Sequence, residues 1–195
     1  GVETLKRFKL ICDSFKAEII AVATSATREA LNKQVFLQKV FAETGIEINI
    51  VSGYEEARLI YLGVLQSLDI YNKKILLIDI GGGSTEFLIG ERGEVKSANS
   101  LKLGAVRLTN KFSLNEKVNK SDLKNSRIFV KGALNQIVRT LEGNDYELVV
   151  GSSGTINNIG SIISAENQPA ADFEINLNGF IIKKKPFHTA VEKIY

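Results

Sequence analysis

The residues with the most chemical content lie in one stretch, Ile78 to Phe87, which reads IDIGGGSTEF. An apolar run from Ile75 to Ile78 has the pattern of a buried strand and ends on a carboxylate, Asp79. The chain then turns through Gly81, Gly82 and Gly83 and continues into Ser84, Thr85 and Glu86, strand-like again. Glycines have no Cβ, so such a turn lets the backbone approach an anion and offer it successive N–H groups, with the Ser84 and Thr85 hydroxyls as side donors. Asp79 and Glu86 flank the turn as hard oxygen ligands of the kind Mg²⁺ uses when it bridges to phosphates. Two other phosphate signatures are excluded: no Gly-Lys-Ser/Thr follows, as a Walker loop requires, and no helix follows, as a dinucleotide fingerprint requires. A tight glycine hairpin at a sheet edge fits the same residues, so the motif alone leaves both readings open.

The elements around this stretch read as alternating helices and strands. Leu5, Phe8, Ile11, Cys12 and Phe15 recur at helical spacing over residues 3–16, and Ala17 to Ala23 reads as a buried strand. Thr24 to Arg28 follows, with Ser25 and Thr27 as ordinary helix caps. Arg28 lies just past the strand's C-terminal end, where open α/β sheets place ligands, and its fork suits phosphate oxygens. Val35, Leu37, Val40 and Phe41 predict a helix stopped by Gly45, then a strand through Ile46, Ile48 and Ile50. Ser52 and Glu55 form a capping box that opens a helix from about Gly53 to Leu68. The box occupies Glu55, which leaves Glu56, in the helix's first turn, as a carboxylate able to polarise a water or simply to favour the helix dipole.

A polar segment, Ser67 to Lys74, marks a junction between residues 1–71 and 72–195. Beyond it the glycine hairpin, a second turn at Glu91 to Glu94 and a strand over Val95 to Leu103 predict three antiparallel strands. Helices are predicted at Ala105 to Phe112 and Ser121 to Leu141, and a strand at Glu147 to Val150. That strand runs into Gly151, Ser152, Ser153, Gly154 and Thr155 ahead of an apolar helix, which is either a second anion site or an ordinary capped helix. Pro186 suits the first turn of a last helix, with His188 a surface residue.

Composition narrows the class. With 195 residues, 44% of them hydrophobic, the chain can bury one good core or two small ones. No apolar run approaches the roughly 18 residues that span a bilayer, and the N-terminal residues lack signal-peptide order, so a soluble cytoplasmic protein is expected. Cys12 is the single cysteine and His188 the single histidine, so there is no Cys/His metal cluster and any metal would be a hard ion on carboxylates. Cys12 reads as a small buried hydrophobe. A net charge of +3 with dispersed basic residues argues against a specific nucleic-acid surface; the run Lys183 to Lys185 reads as a solvated strand or loop.

Five stretches, in order, resemble the Ppx/GppA family of exopolyphosphatases and guanosine pentaphosphate phosphatases: ATSATREAL (23–31), VSGYEEARLIYLGV (51–64), LLIDIGGGSTEFLIG (76–90), LKLGAVRLT (101–109) and VVGSSGTI (149–156). The resemblance implies a two-lobed actin-like ATPase (ribonuclease H-like) α/β fold, with mixed sheets flanked by helices. It implies that Glu56 orients the attacking water, that Asp79 and Glu86 hold Mg²⁺ and that Gly81, Gly82, Gly83, Ser84 and Thr85 cradle a phosphate. Arg28 would contact a phosphate from the other lobe, and Gly151 to Thr155 would form a further phosphate loop. Water would then attack a terminal phosphoryl group in line, and domain closure would assemble the site. The substrate implied is polyphosphate or a guanosine penta- or tetraphosphate. The family's N-terminal Asp-x-Gly-Ser-Asn-Ser loop has no counterpart here. The first lobe is therefore expected to be incomplete, the second to stop short, and open sheet edges to favour a homodimer.

Two other classes remain beside hydrolysis. A phosphotransferase of the sugar or acetate kinase kind shares the fold but would need an acceptor pocket. A catalytically silent alarmone or nucleotide sensor would have no use for a water-polarising Glu56.

Overall fold

The computed structural model describes residues 1–115, 118–167 and 177–194. The chain divides into two compact units, Gly1–Glu56 and Ala57–Tyr195.

The first unit holds helix α1 (Val2–Ser14), strand β1 (Ala21–Ala23), the short helix α2 (Ser25–Glu29), helix α3 (Lys33–Thr44) and strand β2 (Ile48–Ile50). α3 stops where Gly45 enters the left-handed region (φ 70°) and donates its N–H to Phe41 O at 2.8 Å, as the sequence predicts. β1 and β2 pair in parallel, Ala21 opposite Ile48 through Ala23 opposite Ile50. The strand expected over Ala17 to Ala23 is shorter and less buried: Ile20 is 81% and Val22 48% exposed. Among the described residues nothing covers the Ile20 and Val22 side chains, so the apolar run buries little. Ser25 and Thr27 do not cap a following helix; they lie inside α2. Cys12 is half-buried on α1.

Helix α4 (Gly53–Ser67) opens as expected, with Ser52 Oγ accepting the Glu55 N–H at 3.1 Å. From Ala57 onward α4 belongs to the second unit, so the boundary between the two compact units falls in its first turn. The rest of that unit is β3 (Ile75–Ile80), β4 (Thr85–Glu91), β5 (Glu94–Leu101), α5 (Ala105–Phe112), α6 (Lys120–Glu142), β6 (Leu148–Ser152), α7 (Ser153–Asn167) and α8 (Lys184–Ile194). The sheet order is β5-β4-β3-β6; β3, β4 and β5 are antiparallel neighbours and β6 runs parallel to β3. The β4–β5 connection is a two-residue turn with Arg92 (φ 51°) and Gly93 (φ 81°) both left-handed, which suits the twist of a hairpin. Lys184 and Lys185 are exposed in the first turn of α8, a helix where a strand or loop was expected; Pro186 sits in that turn and His188 is exposed, as predicted.

Alternation decides which residues make the core. On one sheet face Ile75, Leu77, Leu88 and Val150 cluster with Ala57 and Tyr61 of α4. On the opposite face Leu76, Ile89 and Phe87 are also buried, while Val149 on the β6 edge of that face is half exposed; α7 packs on β3 and β6. Gly90 is needed for this packing: a Cβ there would stand 2.5 Å from the Tyr61 ring. The Tyr61 hydroxyl accepts the Gly93 N–H at 3.3 Å, and burial pushes the phenol's pKa above its ordinary value. Among the described residues no helix is long and apolar enough to cross a membrane.

Candidate functional site

The sheet register assembles a polar row one step beyond the apolar core. Leu77 stands opposite Leu88 and Val150, and Leu88 opposite Ala98. Two residues along each strand toward the glycine turn, the same face carries Ser100, Glu86, Asp79 and Ser152 on β5, β4, β3 and β6 in that order. Glu86 is 1% and Asp79 8% exposed. Ser100 Oγ donates to Glu86 Oε1 at 2.7 Å, and Ser152 Oγ donates to Asp79 Oδ2. Two carboxylates side by side in a buried row repel each other. The hydroxyl on each side stabilises the charge it faces, as hydrogen bonds to an ionised acceptor do.

The glycine turn that joins β3 to β4 is fixed by α5. Gly81 N–H donates to Ser84 O at 3.0 Å, closing the turn. Gly81 O accepts from Ala105 N–H (2.9 Å), Gly82 O from Arg107 N–H (3.1 Å) and Gly83 O from Arg107 Nε (2.7 Å). None of the three glycines has a positive φ; glycine is needed at the contact instead, because a Cβ on Gly104 would stand 2.2 Å from the Gly82 carbonyl. Ser84 is buried in the turn, and the Thr85 hydroxyl donates to Leu103 O at 3.0 Å. The sequence offered Thr85 as a side donor to an anion; its hydroxyl proton lies on that carbonyl.

The segment Gly151 to Thr155 is not a loop. Gly151 and Ser152 end β6, Ser153 turns the chain with φ 74°, and Ser153, Gly154 and Thr155 form the first turn of α7. A Cβ on Gly151 would meet Ile156 at 2.6 Å, so this glycine lets strand and helix meet without an intervening segment. Because β3 and β6 are parallel neighbours, the start of α7 and the glycine turn leave the sheet at the same end.

In the first unit, Arg28 and Glu56 are partners. Arg28 Nη1 donates to Glu56 Oε2 at 3.0 Å and to Val51 O at 2.8 Å, with the two side chains 23% and 13% exposed. Both were singled out in the sequence, but as separate groups; their pairing spans the α2 end and the α4 start. Ser25 Oγ is buried and has no hydrogen-bond partner among the described residues. Sequence reasoning also missed Ser100, Gly104 and Arg107, although the last two lie in the stretch LKLGAVRLT.

Among the described residues no group of three or more His, Cys, Asp or Glu side chains could hold a metal. Asp79 and Glu86 nevertheless fit a hard cation that takes one or two protein carboxylates and completes its shell with water and substrate phosphate, which is the habit of Mg²⁺.

The model of the Ppx/GppA phosphatase family matches residues 1–194. A bifunctional 3-dehydroquinate synthase/phosphatase of Fusobacterium nucleatum is 42% identical over 145 residues, 72% of this chain and 22% of that protein. A guanosine-5'-triphosphate,3'-diphosphate pyrophosphatase of Vibrio atlanticus is 33% identical over 151 residues, 77% of this chain and 30% of its own length. The crystal structure of an exopolyphosphatase from Cytophaga hutchinsonii superposes with a TM-score of 0.86 at 26% identity, covering 99% of this chain and 62% of that one. The chain thus spans less than a third of these two curated relatives. The mixed sheets flanked by helices and the likeness to that exopolyphosphatase agree with the actin-like α/β fold expected from the sequence. From residue 1 to residue 194, this chain belongs to the Ppx/GppA phosphatase family.

Proposed function

We propose that the protein hydrolyses a terminal phosphoanhydride, of inorganic polyphosphate or of guanosine pentaphosphate. The observation that carries this reading is the buried Asp79–Glu86 pair beside a turn whose three glycine carbonyls all accept from Ala105 and Arg107. A structural hairpin has no need of two buried carboxylates. The family and the relatives named above support the same class of reaction.

In this reading Asp79 and Glu86 hold Mg²⁺, which would neutralise charge on the phosphoryl oxygens. Ser100 and Ser152 keep the two carboxylates oriented. Backbone N–H groups of the glycine turn hold the phosphate, and the first turn of α7 adds amides and hydroxyls for a neighbouring one. Glu56 orients the attacking water and takes its proton, and Arg28 fixes the Glu56 carboxylate through Oε2. The remaining N–H groups of the Arg28 fork suit a phosphate oxygen.

Phosphate release from polyphosphate and from guanosine pentaphosphate, measured in parallel with Mg²⁺, tests the proposal in the wild type and in Glu56→Gln. Release from either substrate that disappears in the variant supports it. Binding without release in the wild type would replace it with the sensor reading.

A further inference from the structure

The stretch LKLGAVRLT has no role in the proposed reaction, yet its residues Gly104 to Arg107 make every contact described above between the glycine turn and α5. The three glycine carbonyls of the turn, those of Gly81, Gly82 and Gly83, are all bound from the α5 side. Two of the donors are backbone amides in the first turn of α5, groups that a helix leaves unpaired. Its N-cap, Gly104, has no side chain to satisfy them, so the turn caps the helix and the helix fixes the turn.

Peptide planarity converts this into a statement about the amides. In a trans peptide the carbonyl of one residue and the N–H of the next point in opposite directions, and the chain has no cis peptide bond. The N–H groups of Gly82, Gly83 and Ser84 therefore point away from α5 together. Among the described residues none of the three donates to a carbonyl in a turn or cap. Among the described residues the third peptide, Gly83–Ser84, is held by a side chain and not by a backbone amide: the Arg107 guanidinium donates to its carbonyl at 2.7 Å. Glycine backbone rotates at little steric cost; without that bond this peptide is free to flip and to present an oxygen where a phosphate needs an N–H.

We propose that Arg107 is a positioning residue for phosphate binding: it keeps the Gly83–Ser84 peptide oriented so that the amides of Gly82, Gly83 and Ser84 converge on one anion. Arg107 touches no substrate in this role. The inference rests on the reading of the turn as a phosphate cradle.

Titration of the protein with inorganic pyrophosphate, followed by the backbone amide resonances of Gly82, Gly83 and Ser84, tests it. Wild type should show shifts at all three amides. Arg107→Ala should bind about tenfold to hundredfold more weakly, the worth of one hydrogen bond to a charged group, and millimolar guanidinium should restore part of the affinity. Lys111→Ala, which removes the same charge from the same helix, should bind as wild type. Arg107→Gln, which keeps a neutral N–H, should fall between wild type and Arg107→Ala, and it serves as the test if Arg107→Ala does not fold. Wild-type affinity in both Arg107 variants, or equal losses in Arg107→Ala and Lys111→Ala, overturns the positioning role. Absence of any shift at the three amides in wild type overturns the phosphate cradle itself, and the inference with it.

Discussion

Asp79 and Glu86 are directly opposed across the β3–β4 ladder, both buried, and each receives a hydroxyl proton from the strand on its own outer side. Burying two like charges as neighbours disfavours the folded state unless something offsets the repulsion. The serines offset part of it, and a divalent cation held between the two carboxylates would offset more.

Mg²⁺ should therefore raise the melting temperature of the wild type. Asp79→Asn removes one of the two charges; it should melt no lower than wild type without Mg²⁺ and gain nothing when Mg²⁺ is added. Ser100→Ala leaves both carboxylates but frees Glu86 to rotate, and it should weaken Mg²⁺ affinity by about 10- to 100-fold, the usual effect of losing a partner that orients a ligand. Calorimetric titration of Mg²⁺ into the three proteins reads both effects. Equal Mg²⁺ affinity in all three would remove these residues from the metal site.

Gly90 and Tyr61 form a steric pair. Gly90→Ala places a methyl 2.5 Å from the Tyr61 ring, which should destabilise the second unit by about 1–3 kcal/mol, the range for overpacking a core. Tyr61→Leu removes the ring, so Gly90→Ala should cost less in that background than alone. Urea denaturation of the four proteins in the cycle gives the coupling, and strict additivity would contradict the packing described.

Tyr61 also sets a pH dependence. Its folded-state pKa is raised by burial, so the native state resists ionisation that the unfolded chain allows. The stability it contributes is fully present below the phenol's unfolded pKa, about 10, and is lost as pH rises through the higher folded value. Tyr61→Phe loses the hydrogen bond from Gly93, at a cost of about 0.5–1.5 kcal/mol near neutrality, and should lose less further stability between neutral and strongly alkaline pH than wild type. Thermal melts across that range would show the two curves converging.

Arg28→Met should lower the stability of the first unit, because it leaves the Glu56 carboxylate, mostly buried, without its donor. The expected loss is about 1.5–3 kcal/mol. Glu56→Gln, which keeps an oxygen acceptor for Arg28, should lose much less. Circular-dichroism melts of the two variants distinguish the effects.

Much of this architecture was legible in the residues. The helices at 105–112 and 121–141 follow from spacing, and the three antiparallel strands from two turn signals. The polar row was not, and the reason is one residue. Counting outward from the Arg92–Gly93 turn, an even ladder would put Asn99 opposite Glu86. A bulge intervenes: Gly90 pairs with Val95 but Ile89 with Ser97, leaving Lys96 as the extra residue. That shift brings Ser100 to Glu86 and exchanges which β5 side chains share its face. Nothing in the composition of β5 announces the bulge. In the sequence Ser152 cannot be told from a loop hydroxyl, because small residues look alike in a loop and at a strand end; only the parallel register with β3 assigns it to Asp79. The first strand was overestimated for a different reason. Apolar content marks residues that can be buried, and burial of Ile20 and Val22 depends on layers that the described residues do not supply.

The central claim is that water, and not an acceptor molecule, takes the terminal phosphoryl group. The measurement is a turnover experiment in ¹⁸O-labelled water with polyphosphate or guanosine pentaphosphate and Mg²⁺, with mass analysis of the orthophosphate released. One labelled oxygen per phosphate in the wild type, and no release by Glu56→Gln, is the expected result. Phosphate without label, or turnover that appears only when a phosphoryl acceptor is added, would contradict the account and favour a phosphotransferase.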